Sequence, residues 1–219
     1  MAPWSGITAD EMRLLETTFW SAGGSRHAMA EQLGFSKSKA NALIAGLVDQ
    51  GLLAEAGLQR SSGGRRAENL QLHAGLGVLI GIDIGATSLD VAVLRPDLTV
   101  LAQHDEPADV RDGPAVVLAR VRTLMRELLA RCGHSAKSVL GIGIGVPGPV
   151  NFEIGQLVNP PLMPAWDSFS IRDYLREDYA APVFVDNDVN LMALGELWRL
   201  KRSLTNFLVI KIGTGIGCG

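Results

Sequence analysis

Cysteine is almost missing from this 219-residue chain: Cys132 and Cys218 are the only two, forming neither a disulfide framework nor a metal-spaced pair. Such sparse use fits a reducing compartment. A secretory leader is lacking as well, because the opening MAPWSGITADEMR has no basic start followed by an apolar core. The long apolar stretches are interrupted by Asp83 or Pro147, so the chain reads as cytoplasmic, with no membrane partner. No large excess of charge of either sign exists. A formal net charge of -3 argues against a protein coated in nucleic acid, while leaving room for a local basic patch. Solenoid-type repeats are absent, and 47% hydrophobic with 20% charged residues suits a sizeable core and one or two domains.

What is present changes texture after about seventy residues. A helix-patterned stretch gives way to Gly-rich, β-like runs, which divides the chain into an N-terminal domain over 1–72, a linker over 73–77 and a second domain over 78–219. In the first, Thr8 is placed to cap a helix with Met12, Leu15 and Phe19 on one side. SRHAMAEQLG supplies a second helix ending at Gly34. Ser36 caps a third, whose Ala40, Leu43, Ile44 and Leu47 recur at helical spacing and face inward. GLLAEAGLQRSSGGRRAENLQL then reads as a hairpin with its tip near Gly63 and Gly64. Together these elements predict an α+β winged helix-turn-helix.

Its chemistry suits operator DNA. The third helix carries Lys37, Ser38, Lys39 and Asn41 on its outer face, placed for a major groove, and the wing carries Arg60, Arg65 and Arg66 for phosphates or a minor groove. Only Asp49 and Glu55 oppose the five basic residues between 36 and 66. A winged helix used for protein contacts, with a solvated basic face, is the alternative, and the paired wing arginines favour DNA.

In the second domain, VLIGIDIGATSLDVAVLRPDLTVLAQHDEP reads as three consecutive strands, followed by a helix from about Pro114 to Arg131. SVLGIGIGVPG is an apolar strand. A Pro- and Asn-rich loop, a helix near 171–178, the strand PVFVDN, another helix and a last strand NFLVIKIGTGIGCG complete an α/β layer pattern. Two glycine turns stand out. DIGATS and GTGIGCG offer close backbone approach to an anion, with Thr87 and Thr214 as hydroxyl donors and Asp83 as a holder of a hydrated divalent cation. Neither is a Walker A or a complete dinucleotide fingerprint, and taken singly each equally well turns a strand tightly.

In series, the winged helix, GIDIGATS, GIGIGVPGPVN, NPPLMPAW, FVDNDVNLMALGE and IKIGTGIGCG resemble the ROK family of bacterial repressors, open reading frames and sugar kinases. That resemblance covers essentially the whole chain and implies an actin-like, ribonuclease-H-like ATPase domain behind the winged helix. It also implies the repressor branch, with operator DNA, a sugar or sugar phosphate, and a second copy of the chain as partners. Asp83, Gly85 and Thr87 match the family's first phosphate loop, and Gly213, Thr214, Gly215 and Gly217 match the second. Asn187 and Asp188 match the pair that in the kinases holds sugar hydroxyls and accepts a proton. Glu196 matches a supporting position, while Gly145, Pro147, Gly148 and Asn159 match loops bordering the sugar.

Departures matter here. The kinases read DIGGTK where this chain has DIGATS, so Ala86 adds a Cβ and Ser88 removes a positive charge, which counts against tight phosphate binding while ATP and magnesium stay open as cofactors. On domain-size grounds the resemblance leads one to expect on the order of another hundred residues beyond Gly219. Those would carry the family's zinc-binding cysteine cluster, a sugar-contacting Glu and His, and the adenosine site. The expectation is therefore a C-terminally truncated ROK regulator with an incomplete effector domain and no zinc ligands of its own. Asp188 remains open between catalytic base, sugar ligand and helix cap, with sugar recognition favoured over phosphoryl transfer.

Replacing Arg65 and Arg66 together by alanine is expected to weaken duplex DNA binding about equally across sequences and to reduce its salt dependence. Affinity unchanged at several salt concentrations would remove the wing from the interface.

Overall fold

The computed structural model describes residues 6–58 and 68–219. The chain divides into two compact units, 1–76 and 77–219.

In the first unit Thr8 opens helix α1 (Ala9–Trp20) with a reciprocal cap: its hydroxyl accepts the Glu11 N–H, and the Glu11 carboxylate accepts the Thr8 N–H at 2.8 Å. A short strand β1 (Gly24–Ser25) leads into α2 (Arg26–Leu33), which stops at Gly34 with φ of 66°. Ser36 caps α3 (Lys37–Asp49), and β2 (Leu53–Leu58) pairs antiparallel with β3 (Glu68–Leu72), giving a three-stranded sheet in the order β1-β3-β2. Three helices and a hairpin is the order expected of a winged helix-turn-helix. Arg60, Arg65 and Arg66, on which the wing's DNA reading rests, lie outside the described residues.

Two details differ from expectation. The core face of α1 is Leu14, Leu15 and Thr18, whereas Met12 is 38% exposed. A threonine can join the core because its hydroxyl donates to the Leu14 carbonyl at 2.8 Å, so no polar group is left unpaired. Residues 73–76, expected as linker, are structured: the His73 N–H donates to the Leu52 carbonyl, a 3₁₀ turn follows over Ala74–Leu76, and Leu76 packs on the first unit's core.

The second unit is built on a mixed five-stranded sheet in the order β10-β7-β4-β5-β6. Strands β4 (Val78–Ile84), β5 (Ser88–Leu94) and β6 (Val100–Pro107) form an antiparallel meander. Helix α4 (Pro114–Arg131) then carries the chain over to β7 (Val139–Val146), parallel to β4. Beyond it a small hairpin of β8 (Val150–Asn151) and β9 (Gln156–Leu157) precedes α5 (Ile171–Arg176). Strand β10 (Val183–Asn187) lies parallel to β7, and α6 (Asp188–Arg199) follows without a loop.

Helix α4 begins with Pro114 behind a glycine and buries Val117, Leu118, Val121, Leu124, Met125, Leu128 and Leu129, the i, i+3, i+4 stripe of an amphipathic helix. Alternate residues of β4 and β5, among them Ile80, Ile82, Ile84, Val91 and Val93, supply the sheet's side of this core. Each such side chain contributes roughly 1.5–3 kcal/mol on full burial, so this face outweighs the surface ion pairs, whose worth is about 0–1 kcal/mol each. The expected last strand is instead a hairpin of β11 (Ile210–Ile212) and β12 (Ile216–Cys218), because Gly213–Gly215 reverses the chain and the Gly213 N–H donates to the Gly215 carbonyl. Among the described residues no helix is long and apolar enough to cross a membrane.

Arg120 on α4 grips Glu106 on β6 with two bonds of 2.7 and 2.6 Å, and His104 adds a third at 2.9 Å. The Arg120 bonds first, then His104, hold Glu106 at about 2 rather than 4.5. A lowered folded-state value means that the stabilisation is present above 4.5 and lost as pH falls through about 2. Glu106→Gln should thus lower the denaturation midpoint near neutral pH, and the gap between variant and parent should close on acidification. A gap independent of pH would show that the carboxylate's charge is not what matters.

Candidate functional site

Parallel register brings the site together. Asp83 on β4, Gly145 on β7 and Asp186 on β10 are direct neighbours across three strands, all at or next to the strands' carboxyl ends. Ligands of open α/β sheets gather at that edge. Gly145 sits in a tight place: a Cβ there would stand 3.3 Å from the Asp188 Cα and 3.4 Å from an Asp83 carboxylate oxygen, and its neighbours would have to give by a few tenths of an ångström. Lacking a Cβ, the strand lets the first turn of α6 settle over the sheet.

Asn187 caps that helix. Its side-chain oxygen accepts the Val189 N–H at 2.9 Å and the Asn190 N–H at 3.4 Å, and its amide donates to the Gly148 carbonyl at 3.1 Å. Of the three roles open to Asp188, the helix cap belongs one residue earlier, because Asn187 has the extended backbone a cap needs (φ -61°, ψ 140°) and Asp188 is already helical. Asp188 is buried. One carboxylate oxygen accepts the Val189 N–H at 3.0 Å, and the other accepts a 2.6 Å bond from the Lys211 ammonium. Asp186 receives the Asn187 N–H at 2.7 Å and the Asn190 amide at 2.9 Å.

Around Asp188 opens a cavity of about 540 Å³, walled by the 147–150 loop, Pro161 and Leu162, the start of α6, Ala86 and the β11–β12 hairpin. Its size falls within the roughly 300–1,000 Å³ of small-molecule sites. Gly217 fits the hairpin against α6, since a Cβ there would lie 2.5 Å from a Val189 methyl.

Of the residues matched to sugar binding, Asn187, Asp188 and Gly148 line this cavity. Asn159 and Glu196 are not among its lining: the Asn159 N–H is bonded to Asp167 at 2.7 Å, and Glu196 pairs with Arg199 at 2.7 Å two turns down α6. The second phosphate loop, Gly213, Thr214, Gly215 and Gly217, lines the cavity in full, whereas the first loop contributes Ala86 but not Gly85 or Thr87. There the Gly85 N–H donates to the Ser88 carbonyl, and the Ala86 and Thr87 carbonyls accept from Val110 and Ala108, which is the tight-turn use of that loop.

Lys211 escaped the sequence reading. Its signal was a charge inside the apolar run VIKIGTG, facing a carboxylate 23 residues away. The bond to Asp188 chiefly, opposed by partial burial and reinforced by the charges of Asp188 and Asp83, raises the Lys211 ammonium above its ordinary value. Burial is the main cause that pushes Asp83 up; Lys211 opposes this and Asp188 reinforces it. A magnesium ion, which kinase chemistry would require, does not fit these residues: the ammonium already holds Asp188 and acts on Asp83. Among the described residues no group of three or more His, Cys, Asp or Glu is arranged to hold a metal.

In the first unit, Lys37, Ser38, Lys39 and Asn41 are all exposed on α3. Lys37 and Asn41 line a shallow groove with Arg26 and His27. Lys39 is engaged with α1 instead, 2.6 Å from Asp10 and 4.4 Å above the centre of the Phe35 ring.

A mixed sheet of this order, with two glycine turns and an acidic residue at the end of its first strand, defines the second unit as an actin-like sugar-kinase-type domain. Residues 79–219 match the ROK family, and the chain belongs to it. A xylose repressor of Caldicellulosiruptor bescii is 27% identical over 196 residues, 89% of this chain and 49% of the repressor. A glucokinase of Halalkalibacterium halodurans is 31% identical over 141 residues, 64% of this chain and 42% of the kinase. The crystal structure of a ROK family transcriptional regulator, described as a homologue of the E. coli MLC protein, shares the fold with a TM-score of 0.68 at 23% identity, over 96% of this chain and 55% of that one. The chain spans about half the length of the curated relatives it matches.

Asn187→Ala removes the α6 cap and the tie to the 148 carbonyl, and should lower stability by about 1–2 kcal/mol in denaturant titration. No loss would place the helix start under the control of Asp188 after all.

Proposed function

We propose that the chain is the DNA-binding and sugar-sensing portion of a transcriptional regulator, and that a neutral sugar held by Asn187, Asp188 and the Gly148 loop shifts the balance between DNA-competent and DNA-incompetent forms. The observation that carries this reading is coverage. The likeness to the xylose repressor runs over 89% of the chain and so extends well into the first unit, while the likeness to the glucokinase runs over 64%. The ion pair at Asp188 supports it, since a general base must be free to take a proton from the attacking hydroxyl. Exposed Lys37 and Asn41 on α3 support contact with a DNA groove. A symmetric dimer reading paired half-sites is the assembly this proposal entails, and operator DNA is its partner.

Linkage sets the requirement: the sugar must bind the two forms with different affinity, and DNA must change sugar affinity by the same factor. An ATP-dependent hexose kinase with an appended winged helix is the second reading, favoured by the 31% identity of the glucokinase over the pocket-bearing unit.

Asp188→Asn separates them. In a regulator it should weaken sugar binding by roughly 10- to 100-fold, the worth of a hydrogen bond to a charged group, while operator binding without sugar stays within about twofold of the parent. Calorimetric titration with pentoses and hexoses beside operator-binding anisotropy reads both. Equal sugar affinity in variant and parent would take Asp188 out of the sugar site, and ATP-dependent phosphorylation of a sugar by the parent would establish the kinase.

A further inference from the structure

We infer that Lys211 is a resident counter-ion, a side chain that takes beside Asp83 and Asp188 the place a divalent cation would need, and so makes this pocket a metal-free site for an uncharged, hydroxyl-rich ligand. The ligand's class rests on the sugar reading above; the exclusion of the cation does not.

Three features carry it. First, the ammonium is 2.6 Å from an Asp188 oxygen, and the Asp188 side chain is only 8% exposed while Lys211 is 38% exposed. The lysine therefore reaches inward from the hairpin to a carboxylate that has little water to fall back on, and a buried carboxylate stripped of its partner is strongly disfavoured. Second, the charge of Lys211 also acts on Asp83, the neighbour of Gly145 in the sheet. One ammonium thus bonds Asp188 and acts at longer range on Asp83, and a dication entering beside Asp188 would meet a like charge. Third, among the described residues lining the cavity, Lys211 is the one cation, against Asp186 and Asp188. Two carboxylates against one ammonium leave the lining net negative, a poor host for phosphate without a metal and a good one for hydroxyl donors, which carboxylates accept well.

The same geometry gives Lys211 a part in recognition. A ligand hydroxyl that bonds to the Asp188 oxygen now held by the ammonium must share it or displace it. Lys211 would then position the carboxylate when the pocket is empty and give way when it fills.

Manganese alone is the probe, with the full 219-residue chain. The parent should bind Mn²⁺ weakly, and Lys211→Met, which keeps the stem and removes the charge, should bind it about tenfold tighter or more. Lys211→Arg should behave as the parent, and adding Asp188→Asn to Lys211→Met should abolish the gain. Should Lys211→Met not fold, the parent still decides: paramagnetic broadening by Mn²⁺ must spare the Gly145 and Asp188 amide resonances. Equal Mn²⁺ affinity in parent and Lys211→Met, or broadening of those two resonances in the parent, overturns the inference. Failure of the sugar titrations with the manganese pattern intact would instead overturn only the ligand's identity.

Discussion

The bare backbone at Gly145 is the constraint on which the pocket depends. Because β7 carries no side chain there, Asp83 of β4 and the first turn of α6 reach the same space, and Asp188 is buried against the sheet instead of projecting from it. Asn187 can cap α6 and tie it to the Gly148 loop because β10 delivers it in register with Val146. Burial in turn makes Asp188 dependent on a partner, and Lys211 is the partner the hairpin supplies.

Much of the frame was legible because its signals are local. Helix α4 runs over Pro114–Arg131 as its glycine-proline start and apolar period require, and the three strands of the meander, β7 and β10 stand where the apolar runs and turns place them. Caps at Thr8 and Ser36 follow from side-chain chemistry within three residues. Errors arose where a residue's role is decided at a distance or concealed by its own bonding. Thr18 reads as polar, yet its hydroxyl is satisfied within its own helix and it packs in the core. A reversal at Gly213–Gly215 turns one expected strand into two, and the same reversal aims Lys211 at a helix start 23 residues away. Asn159, matched to a bordering loop, and Glu196, matched to a supporting position, stand outside the cavity lining, the first with its N–H bonded to Asp167 and the second paired with Arg199, partners that a motif does not register.

Two glycine loops that match the same family pattern are used differently. The second borders the cavity with all four of its matched residues, open to whatever occupies it. The first spends its backbone on its own turn and on residues 108–110, leaving Ala86 as its contribution to the wall. A phosphate cradle needs free N–H groups from both sides at once. In the first loop Ala86 stands where the kinases have glycine and the Gly85 N–H is already bonded to Ser88, so of the two loops it is the second that presents its matched residues to the cavity.

Recognition makes smaller demands on the same residues than catalysis does. A base must release its partner at the moment a hydroxyl attacks, and any interaction that holds the carboxylate equally in ground and transition states adds nothing to the rate. A Lys211 contact that persisted through the reaction would be such an interaction. For a sensor it carries no comparable disadvantage, because an equilibrium shift needs only that the occupied and empty pockets differ in free energy between two forms of the protein. An ion pair that must rearrange as ligand enters provides a difference of that kind, since the buried Asp188 cannot lose one partner without gaining another. The loss of the ammonium's contact and the gain of the ligand's are then coupled at a single oxygen.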